Sequence, residues 1–187
     1  MKPTIFEGDR IVINKLAYDL KIPFTTRRLA AWAEPARGDI VVLYSPVDGK
    51  RLVKRVVGVP GDTVAMVDDR LVVNDTVVAY GAPPAGLVAG PTPGCAGHLI
   101  ATEDLGDKPH AVMLPYGAHC RPNFAPVEVP FRSYFVMGDN RDESFDSRYF
   151  GPVSRDRIVG RATVVAASVD PERHYRPRWG RFFHPLQ

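Results

Sequence analysis

Lys54 sits in the run Arg51-Leu52-Val53-Lys54-Arg55-Val56-Val57-Gly58-Val59, whose alternating side chains read as a strand. With a period of two, Leu52, Lys54 and Val56 share one face, and Val53, Arg55 and Val57 share the other. An amine between Leu and Val loses water, which disfavours the ammonium and lowers its pKa, so that it can be neutral at about pH 7. A neutral, positioned amine takes a proton from a serine hydroxyl, the work of a general base serving a nucleophile. Taken alone, the strand fits better a plainer alternative, a lysine that snorkels its ammonium to solvent from a sheet edge.

A second polar segment follows the apolar run 134–137: Gly138-Asp139-Asn140-Arg141-Asp142-Glu143-Ser144-Phe145-Asp146-Ser147-Arg148. Its Asp, Asn, Ser and Arg suit a loop stiffened by side-chain-to-backbone bonds and short ion pairs. The alternation of Asp139, Arg141 and Glu143 suggests a calcium loop, but Arg141 fills a ligand slot and the required Gly and terminal Glu are missing. A solvated surface loop is the default for such a charge cluster.

These groups need a frame, and the frame reads as β. The 18 prolines and 16 glycines disfavour long helices and favour short strands joined by turns. β-Branched runs at 10–14, 39–44 and 51–59 are bounded by Gly8-Asp9, Gly38-Asp39 and Pro60-Gly61-Asp62, which is strand punctuation. Two hairpins follow, one turning at Asp68-Asp69 between 64–67 and 71–73, the other at Asn74-Asp75 before 77–78. Residues 134–137 and 158–169 read as further strands. A helix is expected only at about 26–33, ending before Pro35. Nine prolines, both cysteines and three of the five histidines crowd between Gly81 and Pro130. The economical layout is a mostly β, antiparallel core from residues 1–66 and 131–187, with a Pro/Gly-rich β/loop insertion over 67–130. No internal repeat is visible.

Composition narrows the function classes. Across 187 residues, 45% hydrophobic and 24% charged usage excludes a disordered tail, a fibrous repeat and a coiled coil. A net charge of +3 gives no reason to invoke nucleic acid. The apolar runs fall short of the roughly 18 residues that span a bilayer, so neither a span nor a secretory leader is expected within the residues as written.

Four ordered blocks carry a resemblance: Met1-Lys2-Pro3-Thr4-Ile5 followed by Gly8-Asp9; Arg37-Gly38-Asp39-Ile40-Val41; Lys54 through Asp62; and Gly138 through Arg148 with Gly151. In them the chain resembles the type I signal peptidases, membrane-anchored serine proteases that cut leader peptides from exported preproteins. The resemblance implies a Ser-Lys dyad in which Lys54 is the general base and Ser144 orients it. It implies that Asp146 with Arg148 shapes the surroundings, and that Asp139 with Arg55 is a supporting ion pair. Met1, Ile5, Leu52 and Val53 fall where such enzymes line pockets for small substrate residues. No metal and no organic cofactor are implied. The implied location is the bacterial inner membrane, with the catalytic domain on the periplasmic side.

In the family pattern a serine immediately precedes Met-x-Pro-Thr and is the nucleophile. This chain begins at Met1, so the natural protein is expected to extend upstream into that serine and a membrane anchor, and the chain as given is expected to be inactive. Thr4 lies too far along to substitute, and Ser144 already orients the lysine.

In an oxidising periplasm, Cys95 and Cys120 suit a disulfide pinning the insertion. The rival is zinc on Cys95, His98, His119 and Cys120, disfavoured because adjacent His and Cys rarely face one ion. His174 and His184 are expected to be solvated. The C-terminal Arg176-Pro-Arg-Trp179-Gly-Arg-Phe182-Phe183 fits equally a contact with anionic headgroups and simple packing of Trp179 and Phe182 on the core. Three other functions compete: a peptide-binding relative that has lost cleavage, a conjugation-linked processing peptidase, and a repressor-type autoprotease. The last needs a helix-turn-helix, and none is visible.

Overall fold

Val- and Ile-rich runs punctuated by Gly-Asp turns produce strands, and nearly all pairings are antiparallel in the computed structural model, which describes residues 1–22, 28–68, 70–83, 97–106, 108–116 and 123–186. The N-terminal part forms β1 (Asp9–Asn14), β2 (Asp19–Lys21), β3 (Arg28–Ala31), β4 (Ile40–Tyr44) and β5 (Arg51–Gly58). The middle adds β6 (Thr63–Val67), β7 (Arg70–Val73), β8 (Thr76–Val77), β9 (Ala79–Gly81), β10 (Gly97–Asp104), β11 (Pro109–Tyr116) and β12 (Phe124–Glu128). Then follow β13 (Ser133–Met137), the one-turn helix α1 (Ser147–Phe150), β14 (Val153–Ser154), the long β15 (Ile158–Asp170), β16 (Arg176–Pro177) and β17 (His184–Pro185). The mostly β expectation holds.

The main sheet runs β1-β15-β4-β5-β13-β14, with β16 and β17 also paired to β15. Strand β5 is therefore central, hydrogen-bonded to β4 on one side and β13 on the other. Two smaller sheets, β11-β10-β9 and β12-β6-β7-β8, carry the middle of the chain. The turn between β7 and β8 puts Asn74 and Asp75 at φ 50° and 61°, the left-handed pair that a two-residue hairpin requires.

Alternation along β5 partitions the core. Val56 joins Val41, Leu43, Tyr134, Val136 and Ile158, with Leu52 against them. Val57 joins Val64, Met66, Leu71, Phe135 and Met137, which fastens the β12-β6-β7-β8 sheet to the main one. Val53 packs on a third cluster built on Ile40, Val42 and Ala162.

The expected helix over 26–33 does not form across its described part. Residues 28–31 are strand β3, with Ala31 opposite Asp19 and Ala30 opposite Leu20 on β2. Helix propensity is worth only tenths of a kcal/mol per residue, about 0–0.7 for ordinary side chains. Pairing with β2 and the reach of Arg28 to Asp156 at 2.5 Å outweigh it.

Candidate active site

Because β5 is central, Lys54 cannot snorkel from a sheet edge. It pairs with Val41 across the ladder and is 9% exposed. Its Nζ donates to Ser144 Oγ at 2.7 Å. Burial lowers the pKa of the amine from its ordinary 10.5; nearby Asp146 and Asp139 oppose the change, Arg148 adds to it, and the net direction is down. The snorkelling that the strand alone favoured is overturned by burial of Lys54 inside the sheet.

Ser144 reaches this amine because Gly138 has no side chain. A Cβ there would lie 2.2 Å from Ser144 Oγ and 2.7 Å from its Cβ. Asp146 fixes the loop from below: its carboxylate is fully buried and accepts from Gly138 N at 3.0 Å and from Arg148 N at 3.2 Å, capping α1. Arg148 grips both oxygens of Asp146, Nε to Oδ1 at 2.8 Å and Nη2 to Oδ2 at 2.9 Å. Its Nη1 also donates to the Arg141 carbonyl at 2.6 Å. Burial alone would raise the Asp146 carboxyl, but the bonds and charge of Arg148 pull it below the ordinary 3.8. Ser147 Oγ accepts from Val136 N at 2.9 Å and ties α1 to β13.

Asp139 and Arg55, on the opposite side of β5 from Lys54, make a buried two-point pair, Nε to Oδ1 at 2.9 Å and Nη2 to Oδ2 at 3.0 Å. Arg55 Nη1 also donates to the Gly38 carbonyl at 2.7 Å. Against the penalty of full burial, the Arg55 charge and hydrogen bonds hold Asp139 below the ordinary 3.8. Thr4 Oγ1 donates to the same carboxylate. That hydroxyl ties the N-terminal segment to the site, a role its position in the sequence did not signal.

Of the four expected pocket residues, Met1, Ile5 and Val53 gather on the Ile40, Val42 and Ala162 cluster, while Leu52 packs on the opposite face of the sheet. The Met1 amine lies close enough to Lys54, Asp139 and Glu143 to feel their charges, and burial lowers its pKa. A cavity of about 440 Å³, lined by Gly38, Ile40, Lys108, Arg161, Ala162 and Leu186 among others, adjoins that apolar cluster and touches neither Lys54 nor Ser144.

Cys95 and Cys120 lie outside the described residues, as does His119. Among the described residues no group of His, Cys, Asp and Glu gathers as a metal cluster. His174 and His184 are exposed. Trp179 is 73% exposed and Phe183 78%, so core packing of Trp179 is ruled out; Phe182 is half-buried against Trp179, ring centroids 5.0 Å apart. No described helix is long and apolar enough to cross a membrane. Sequence reasoning also missed buried Glu103 and His110 and half-buried Tyr80, which meet beside the loop. The sequence held no signal for them, because Arg141, the cation they surround, stands among Asp139, Asp142 and Glu143 and reads as part of a solvated charge cluster, and only the structure shows it buried.

The family model described as "Signal peptidase, peptidase S26" matches residues 1–167. The chain is similar to signal peptidase I of Pseudomonas aeruginosa, 35% identical over 195 residues that cover 97% of this chain and 66% of that protein. It is also similar to signal peptidase I V of Bacillus subtilis, 34% identical, covering 86% of this chain and 76% of that protein. A crystal structure of a signal peptidase I from Enterococcus faecalis aligns with a TM-score of 0.43 and 27% identity, over 70% of this chain and 98% of that one. The chain thus spans just under two thirds of the length of the Pseudomonas relative.

Proposed function

The chain belongs to the signal peptidase family, peptidase S26, and from that membership we propose that it is the catalytic part of a type I signal peptidase, an endopeptidase that removes leader peptides after small residues. The observation that carries this reading is the 2.7 Å contact between a buried lysine amine and Ser144 Oγ. Lys54, whose amine burial shifts toward the neutral form, is the general base, and Ser144 holds it in line. The nucleophile is the serine that directly precedes Met1 in the family pattern. The nearness of the Met1 amine to Lys54, whose charge it feels, supports this placement.

Lys54 takes the hydroxyl proton as the serine oxygen attacks the scissile carbonyl. The tetrahedral oxyanion is stabilised by backbone N–H donors, and the amine then protonates the departing nitrogen. The ester acyl-enzyme is hydrolysed by water activated at the same lysine. A positioned base contributes about 10²–10⁴-fold. Met1, Ile5 and Val53 form the floor for small side chains, while Leu52 packs on the other face of the sheet. The leader strand adds to a sheet edge, main chain to main chain. Asp146 with Arg148, and Asp139 with Arg55, keep loop and strand in register. We also propose a membrane-associated enzyme acting on the periplasmic side, with exposed Trp179 and Phe183, beside Arg178 and Arg181, resting on anionic headgroups and half-buried Phe182 supporting Trp179.

The test adds a serine before Met1 and follows cleavage of a leader-bearing preprotein. Cleavage after a small residue, abolished by Lys54→Ala, is expected. Cleavage that survives Lys54→Ala removes the assigned base, and tight leader binding without any cleavage favours the peptide-binding relative instead.

A further inference from the structure

A buried ionic cluster joins the inserted β10 and β11 hairpin to the loop that presents Ser144. Glu103 on β10 is fully buried. Its Oε1 accepts from Arg141 Nη2, and its Oε2 accepts from the Tyr80 hydroxyl at 2.8 Å. The Tyr80 oxygen in turn accepts from Leu71 N at 3.1 Å. His110 on β11 places Nε2 3.5 Å from Glu103 Oε1. Burial alone would raise the Glu103 carboxyl, but the Arg141 charge and the His110 contact bring it down to about 2.

The backbone makes a second connection at the same place. Met113 of β11 donates its N–H to the Asp139 carbonyl at 2.8 Å and accepts from Arg141 N at 2.9 Å, an isolated parallel bridge to Asn140. Arg141 Nε then donates to the Gly138 carbonyl at 3.2 Å, and Gly138 is the residue against which Ser144 rests. Each step from Glu103 to Ser144 is thus a hydrogen bond or a van der Waals contact. Burying two full charges is a poor source of stability compared with apolar packing, whereas it fixes geometry well.

Resting on the Ser-Lys reading above, we propose that Glu103, braced by Tyr80 and His110, is a positioning residue for the Lys54 and Ser144 pair, acting through Arg141 and Gly138. The inserted hairpin thereby sets the geometry of the base.

The test follows the Lys54 side-chain carbon next to the amine by NMR through a pH titration of the chain as it stands, with the signal assigned by its loss in Lys54→Met. Glu103→Gln removes a negative charge, which by Coulomb's law alone lowers the amine's midpoint further. Loosening of the loop admits water and raises it. A rise of about one pH unit is expected. Tyr80→Phe, which deletes one hydroxyl and keeps the ring, gives a smaller rise in a chain that stays folded, and Glu103→Asp restores part of the depression. In the serine-bearing chain the same variants lower kcat roughly tenfold or more, with KM within about twofold. If the unmodified chain shows a depressed midpoint and the variants overlay it or fall below it, the positioning role is overturned while the base assignment stands. If the unmodified chain itself titrates at the ordinary 10.5, the base assignment fails and the positioning role with it.

Discussion

Replacing Gly138 by alanine tests the site at its tightest point. The new methyl would stand 2.2 Å from Ser144 Oγ and 3.6 Å from Lys54 Nζ, while those two atoms are 2.7 Å apart. These three lengths place the push nearly at right angles to the hydrogen bond. To regain an ordinary contact the hydroxyl must swing sideways by about 1.2 Å, roughly 25° as seen from the amine. The bond is then little longer but badly aimed, beyond the ~0.5 Å and ~10–20° that a catalytic constellation tolerates. A misplacement near 1 Å costs about 10²-fold in rate, and the overpacking costs about 1–3 kcal/mol of stability. In the serine-bearing chain, leader-peptide cleavage under saturating substrate is therefore expected to fall about a hundredfold in Gly138→Ala, with a modest loss in Tm and little change in KM. Unaltered kcat in a folded Gly138→Ala protein refutes the claim that Ser144 must meet Lys54 from this position.

The remaining predictions concern charge. Lys54 has a folded pKa below its ordinary 10.5, so the unfolded chain binds more protons between the two values and stability rises with pH there; Lys54→Met flattens that rise in urea melts taken across alkaline pH. Asp139 is held below 3.8, so its stabilisation is full above that value and is lost as pH falls through the depressed one. Asp139→Asn takes the carboxylate from buried Arg55 and is expected to cost about 3–5 kcal/mol by denaturant titration at neutral pH. Trp179→Ala and Phe183→Ala are expected to weaken sedimentation with anionic vesicles without changing Tm, and unchanged partitioning excludes the headgroup contact.

Much of the frame was legible because each half-buried strand writes a period of two into the sequence. The run around Lys54 gave the faces of β5 directly, and Gly-Asp pairs marked where β1 and β4 begin. The loop residues Asp139, Ser144, Asp146 and Arg148 were legible as a group through the family blocks, and the structure brings them together around Lys54 and Arg55. What escaped was set by contacts distant in sequence. Residues 28–31 have helical preferences, but β2 supplies a pairing partner. The β10 and β11 hairpin was obscured by Pro109 and Pro115, which a strand tolerates because β11 lies at a sheet edge and both prolines sit near its ends. Leu52 and Val53 were grouped as pocket residues by the family pattern, yet as strand neighbours they point to opposite faces, and Leu52 packs on the Val56 cluster rather than on the one that takes in Met1 and Ile5. Glu103 carried no local sign of its role, because its partner Arg141 lies 38 positions away.

The most direct measurement is the ionisation of one amine. Carbon-13 NMR of Lys54 across neutral and alkaline pH should show a midpoint well below 10.5, shifting when Ser144→Ala removes the hydroxyl that meets it. A lysine that titrates at its ordinary value, indifferent to Ser144, contradicts the base on which the proposed cleavage depends.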